Sequence, residues 1–449
     1  MGVVAVALSL VATSQSAATF LGAPEFAYKY DFTFIGFYLS ALIAVIFVAK
    51  FFVPRFYAIG ALTVYELLEE RYGARAKQHA GIMFLVGRVM ASGARLYIAA
   101  LGVSMILFMD VNFLHIFVSS ALLVVGALAY TYFGGVKSVI LSDVIQLIVY
   151  VSAGIVVAYF LYTSLNTQDI LSILQEHNKL RVLDTSLDGK FSIVGLLSGW
   201  LLLNIAAFGL DQDMSQRILT CKNKQDATYA LILSIIVTIP IVVLFLAIGA
   251  LLFVYYQGDG VVQKFQGESI TIFMYYILHQ LPEGLKGFVT VGAIAAALSS
   301  TNSVLGALSS VAIEDIYKPY KRKRHPDTQE QHFVDVARVG VLLFSVILLG
   351  VALVSYLWQH ATNLPIVSFA LGVMSFAYSG LLGVFFAAVF TQRGSEELVP
   401  FALMGGFLSV LALQPYTFGI HIGFAWQLLL ATGVSFVIMM LKKHTPNSQ

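Results

Sequence analysis

A succession of apolar stretches, each about as long as a bilayer is thick, constrains this chain more than any other feature. Twelve can be drawn, near residues 1–22, 32–53, 80–108, 113–133, 139–164, 192–211, 227–256, 287–313, 333–358, 363–391, 397–415 and 420–441. Hydrophobic residues make up 59% of the 449 and charged residues only 11%, with a mean hydropathy of +0.86. Backbone inside lipid has no water to bond, so spans of this length must satisfy themselves as helices. The expected fold is therefore an all-α polytopic membrane protein, with residues 1–449 forming a single transmembrane unit. A net charge of +2 carries no nucleic-acid signal. The single cysteine, Cys221, excludes an intramolecular disulfide framework and any multi-cysteine metal site. Met1 to Gly22 lacks the basic start of a cleavable signal peptide.

Basic residues alternate between the connections. Sixteen fall in one set, among them Arg71, Lys77, Lys137, Arg217, Lys323 and Lys443, and only six in the other. The positive-inside rule puts the first set in the cytoplasm, runs the first span outward and leaves the C-terminus cytoplasmic. The expected location is the cell (inner or plasma) membrane. The two long external connections, 165–191 and 257–286, are expected to hold short helices. Ile270 to Leu281 is apolar all round and should lie in the interface or cap the bundle.

Polar residues inside these spans are costly and so informative. Gly287 to Tyr317 carries seven serines and threonines and no charge before Glu314. Ala296, Ser299 and Ser300 stand at i, i+3 and i+4 on one helical face. They could serve a tight helix contact or offer oxygens to a small hard cation. The first span holds Ser9, Thr13, Ser14, Gln15, Ser16 and Thr19, and is expected to break at Gly22 and Pro24. Freed carbonyls of such a discontinuous helix can line a site. Asp143 lies about one turn inside the fifth span, where a carboxylate also suits the helix dipole. Arg88 is expected to snorkel to the interface. Arg95, near mid-membrane, needs a carboxylate, backbone carbonyls or an anionic substrate. Asn204 suits an interhelical hydrogen bond as well as it suits a ligand.

Four segments, SLVATSQSAATFLGAPEFAY, YFGGVKSVILSDVIQ, GLDQDMSQRIL and AIAAALSSTNSVLGALSSVAIEDIYKP, occur in an order that resembles the sodium:solute symporter family. That resemblance implies a LeuT-like fold, with two inverted repeats of five helices (about 1–164 and 192–391) and two C-terminal helices (about 397–441). It implies Na⁺ as coupling ion, held by the main-chain oxygens of Ala12, Gln15 and Ala296 and the hydroxyls of Ser299 and Ser300. Asp143 matches an acid that in some members borders a second sodium ion, although Ala296 offers no hydroxyl there. Ser16, Thr19, Phe34, Tyr38 and Asn204 fall at positions facing the cargo, and Arg95 near a carboxylate-binding Arg of sialic-acid-type members. The family normally has a further helix before the broken one, absent ahead of Met1, which suggests that the natural protein starts earlier.

The expected function is Na⁺-coupled symport of a small organic solute by alternating access, an acidic sugar or other carboxylate being favoured. A neutral-sugar carrier is the nearer alternative, and a membrane-embedded solute sensor the more distant one. Neither a nucleophile–base pattern nor a phosphate loop points to an enzyme. No organic cofactor, nucleic acid or obligatory protein partner is expected, only solute, sodium ion and lipid.

Overall fold

In the computed structural model the first span is two helices, not one. Helix α1 (Val3–Ser14) stops at Gln15 and Ser16, both in extended backbone, and α2 (Ala17–Lys29) restarts at a bend of 62°. The expected break at Gly22 and Pro24 is wrong: Pro24 sits inside α2. Ser, Thr and Gln side chains compete for backbone groups, so the TSQS run weakens the ladder more than one proline does. Pro24 is accommodated because Gly249 has no side chain to strike its carbonyl.

The structure describes residues 1–449 apart from 166–168, 187–188, 259–263, 266–267, 363–365, 420–421 and 444–449, with backbone only at 17–18, 133, 264–265, 268–269, 359–362, 366–374 and 416. Next come α3 (Ile35–Phe51), α4 (Ala74–Phe108), α5 (Phe113–Tyr132) and α6 (Gly134–Ser164). A second broken span follows, α7 (Gly199–Gly209) and α8 (Gln212–Ile218), bent by 55°. Here Asp211 ends one helix and caps the other by accepting from the Asp213 N–H at 2.9 Å. The chain continues as α9 (Lys224–Tyr255), α10 (Glu283–Val311), α11 (Glu330–Thr362), α12 (Ile366–Phe390), α13 (Val399–Ala412) and α14 (Phe424–Met440). Each of the twelve expected spans thus contains a helix or a bent pair. The start of the tenth, at 363–365, lies outside the described residues.

Both long connections carry a short helix, Ile170–Glu176 and Ile272–His279. The second buries Ile272, Phe273, Tyr276 and Ile277 almost completely, so of the two expected placements it takes the cap.

The molecule has a basic end and an opposite end. At the basic end Arg71 donates to the Thr391 carbonyl at 3.0 Å, and Thr63 donates to Asp315 at 2.6 Å. At the opposite end Arg181 pairs with Asp31 at 2.8 Å and Lys179 reaches the Tyr28 carbonyl at 2.6 Å. An aromatic cluster of Phe26, Phe34, Phe37, Phe191, Trp200 and Phe424 lies beneath that strap.

Candidate functional site

The break between α1 and α2 is where the site begins. A helix end leaves its last carbonyls without intrahelical partners; Ala12 stands in that last turn and Gln15 is the extended residue that caps it. Across from them, α10 packs against both α1 and α6. There the Ser300 hydroxyl donates to the Ala296 carbonyl at 3.3 Å, and the Ser299 hydroxyl donates to Asp143 at 2.8 Å. Ser299 and Ala296 are almost wholly buried, at 1% and 3% exposure. Small residues let these backbones close up, and Gly292 has no room for a Cβ against Ala153.

A cavity of about 20 Å³ adjoins this contact, lined by Ser16 from the break, Ser92 and Arg95 from α4, Ser300 and Thr301 from α10 and Leu348 from α11. Three expected residues, Ser16, Arg95 and Ser300, meet there. Ser92 and Thr301 were not singled out from the sequence. Ser92 lies one turn before Arg95, a spacing that could have revealed it. Among the described residues its buried hydroxyl has no hydrogen-bond partner, unlike Thr301, which donates to the Ala297 carbonyl at 2.9 Å. The volume admits about one water, so a sugar-sized ligand requires the walls to part.

The remaining expected residues sit outside that lining. Tyr38 accepts from Gln15 Nε2 at 3.4 Å, with Thr19 beside it. Phe34 packs edge-on to Tyr38 at 5.6 Å and belongs to the aromatic cluster of the opposite end. Asn204 donates to the Phe37 carbonyl at 3.2 Å, a bond between α7 and α3. The buried amide of Asn204 therefore has a structural partner in this conformation.

Below the cavity, toward the basic end, lies an ionic network whose partners the sequence did not pair. Arg88 does not snorkel: it is 6% exposed and pairs with Asp211 at 2.8 Å and with Asp213. Tyr378 of α12 donates to Asp211. Arg217, counted from the sequence among basic loop residues, is fully buried in α8. It pairs with Asp213 at 2.9 Å and with Asp143 at 3.0 Å. Ser9 of α1 accepts from Arg217 Nε at 2.8 Å and donates to Asp143 at 2.6 Å. Lys77, also counted as a loop residue, is 7% exposed and lies between Glu69, Glu66 and Asp315. Gln212 grips the connection after α3, donating to the Leu62 carbonyl at 2.9 Å and accepting from the Val64 N–H at 3.1 Å. The basic end is closed by these contacts and the opposite end by the strap and its aromatic cluster.

The sodium:solute symporter family profile matches residues 1–408. The chain belongs to that family. The symporter is 27% identical over 432 residues to the sodium/sialic acid symporter NanT of Aliivibrio fischeri, covering 92% of this chain and 80% of that protein. It is 25% identical over 412 residues to the human sodium-coupled monocarboxylate transporter 1, covering 91% of this chain and 65% of the relative. A solved Na⁺-coupled sialic acid symporter, captured substrate-bound and outward-open, superposes with a TM-score of 0.81 over 98% of this chain and 89% of that one, at 23% identity. The fold is thus the expected LeuT-like one, in a multi-pass membrane transporter rather than an enzyme. Its family places it among Na⁺-coupled solute symporters working by alternating access.

Proposed function

We propose that this symporter carries a small carboxylate-bearing solute together with Na⁺, an acidic sugar such as sialic acid being the favoured cargo. The observation that carries the reading is Arg95 lining a hydroxyl-rich cavity beside Ser300. A guanidinium with serine and threonine hydroxyls suits a carboxylate, which takes charge-assisted hydrogen bonds, roughly twice as strong as the neutral ones a hexose hydroxyl makes. Relatives named for sialic acid and for monocarboxylates share that one chemical feature.

Sodium would bind at the Ala12, Gln15 and Ala296 carbonyls and the Ser299 and Ser300 hydroxyls. Neutral oxygens hold a monovalent ion weakly enough to release it, while calcium would want more ligands and carboxylates. A second ion at Asp143 is disfavoured here, because that carboxylate already accepts from Ser9, Ser299 and Arg217. The division into repeats at 1–164 and 192–391 is supported by the position of the two bent spans, each opening its half. The basic end faces the cytoplasm by the positive-inside rule.

The test is uptake into liposomes of radiolabelled sialic acid, pyruvate, galactose and proline, with and without an inward Na⁺ gradient. Gradient-driven uptake of an acid, lost in Arg95→Ala while ²²Na⁺ binding persists, is the expected result. Uptake of galactose or proline alone, or an Arg95→Ala protein that still carries the acid, would overturn the carboxylate reading.

A further inference from the structure

We infer that Ser299 has two jobs, as a sodium ligand and as the joint that connects the ion to the closed basic end through the positioning residues Asp143 and Arg217. This rests on the sodium site proposed above.

A serine hydroxyl has one proton and two lone pairs. The Ser299 proton is committed to Asp143 Oδ1 at 2.8 Å, which leaves the lone pairs for a cation. The second oxygen of Asp143 takes Ser9 Oγ at 2.6 Å and Arg217 Nη2 at 3.0 Å. One carboxylate therefore ties α10, α1 and α8 together. Arg217 passes the tie onward to Asp213, Asp213 to Arg88, and Arg88 to Asp211, which holds Tyr378.

A cation on the Ser299 oxygen polarises its O–H bond and strengthens the hydrogen bond to the carboxylate, because linked hydrogen bonds reinforce one another at low dielectric. Sodium binding thereby tightens the clasp on Ser9 and Arg217. Loss of sodium loosens it, at the two half-helices, α1 and α8, that flank the breaks. Every member of the chain but Arg88, at 6%, is at most 4% exposed, so water cannot substitute for a lost partner without the end opening. The ion thus biases one of two arrangements of the same element, as coupling between a site and a gate requires.

Cys221, the only cysteine of the 449 residues, follows α8 and is 6% exposed, so it reports opening of this end. In full-length protein held in nanodiscs, labelling of Cys221 by an impermeant maleimide should slow about tenfold when Na⁺ replaces choline. Asp143→Asn should still bind ²²Na⁺ within about threefold of the parent but label at one rate in either cation. Ser9→Ala, a milder change, should keep ²²Na⁺ binding and lose part of the protection. It stands in if Asp143→Asn elutes as aggregate. Full Na⁺ protection in both variants, no Na⁺ protection in the parent, or abolished ²²Na⁺ binding in Asp143→Asn would each overturn the inference. Ser300→Ala separates it from the underlying site: unchanged ²²Na⁺ binding there would remove the sodium site itself.

Discussion

Ser92 shows what a single residue contributes that sequence patterning conceals. Buried serines in helices usually donate back to a carbonyl a turn earlier, as Ser345 and Ser303 do here. Ser92 does not, and its hydroxyl shares the cavity with Arg95. An unsatisfied buried hydroxyl is worth about 1–3 kcal/mol once a partner arrives. Ser92→Ala should therefore raise the KM for a transported carboxylate roughly tenfold while leaving the half-saturating Na⁺ concentration unchanged. The opposite pattern should follow at the sodium site: Ser300→Ala should raise half-saturating Na⁺ far more than Thr19→Ala, read from uptake against Na⁺ concentration. Ser300 was legible because the Ala296, Ser299, Ser300 spacing is local. Ser92 was legible only in part: its spacing puts it on the face of Arg95, but nothing in VMASGARLY separates a packing serine from an unpartnered one.

At the scale of elements, α8 is the piece whose character the sequence misrepresents most. QDMSQRI reads as a charged loop edge, yet all seven of its residues are buried. The charges tolerate this only as a mutually paired set, since taking one partner away leaves its mate desolvated. Arg88→Met should cost about 3–5 kcal/mol and lower the thermal unfolding midpoint in detergent, because Asp211 and Asp213 lose their shared cation. Adding Asp213→Leu should not restore the midpoint, since Arg217 then also loses one of its two carboxylates. A restored midpoint would show that Arg88 and Asp213 form a pair independent of Arg217. The bent spans illustrate the same difference. A break was expected in the first span, from polar residues in an apolar run, but it was set too late, at Gly22 and Pro24; the break of the sixth span, at Leu210 and Asp211, was not expected. Proline inside a membrane helix is repaired by its neighbours, Gly249 among them, and only the packed neighbour reveals the repair.

Over the whole molecule the charges of the site balance. Arg88 and Arg217 face Asp143, Asp211 and Asp213, leaving one negative charge in excess, which Arg95 at the cavity offsets. Sodium alone would bring that region to +1 and a carboxylate alone to −1, while the pair keeps it neutral. At an effective dielectric of about 20, opposite unit charges a few ångströms apart attract by up to about 4 kcal/mol, so each ligand should bind more tightly in the presence of the other. Transport of a monocarboxylate should accordingly use one Na⁺, with a Hill coefficient near one and a rate independent of an imposed K⁺ diffusion potential. A sigmoidal Na⁺ dependence with inward current would mean a second ion, with Asp143 released from Arg217 to receive it.

The membrane class, the twelve spans, their alternation and the polar faces of the first and eighth spans are written in the sequence itself. Hydrophobicity and helical periodicity act over short distances along the chain, and burial of a run of twenty residues needs no partner to be foreseen. Which charge meets which was decided only by tertiary structure. Arg217 lies 74 residues from Asp143 and 208 from Ser9, and a buried ion pair depends on position to within an ångström. The same reason separates Arg88, held by two carboxylates, from Arg95, which lines the cavity seven residues on: both lie on one helix, and only the helices packed around them give them different work.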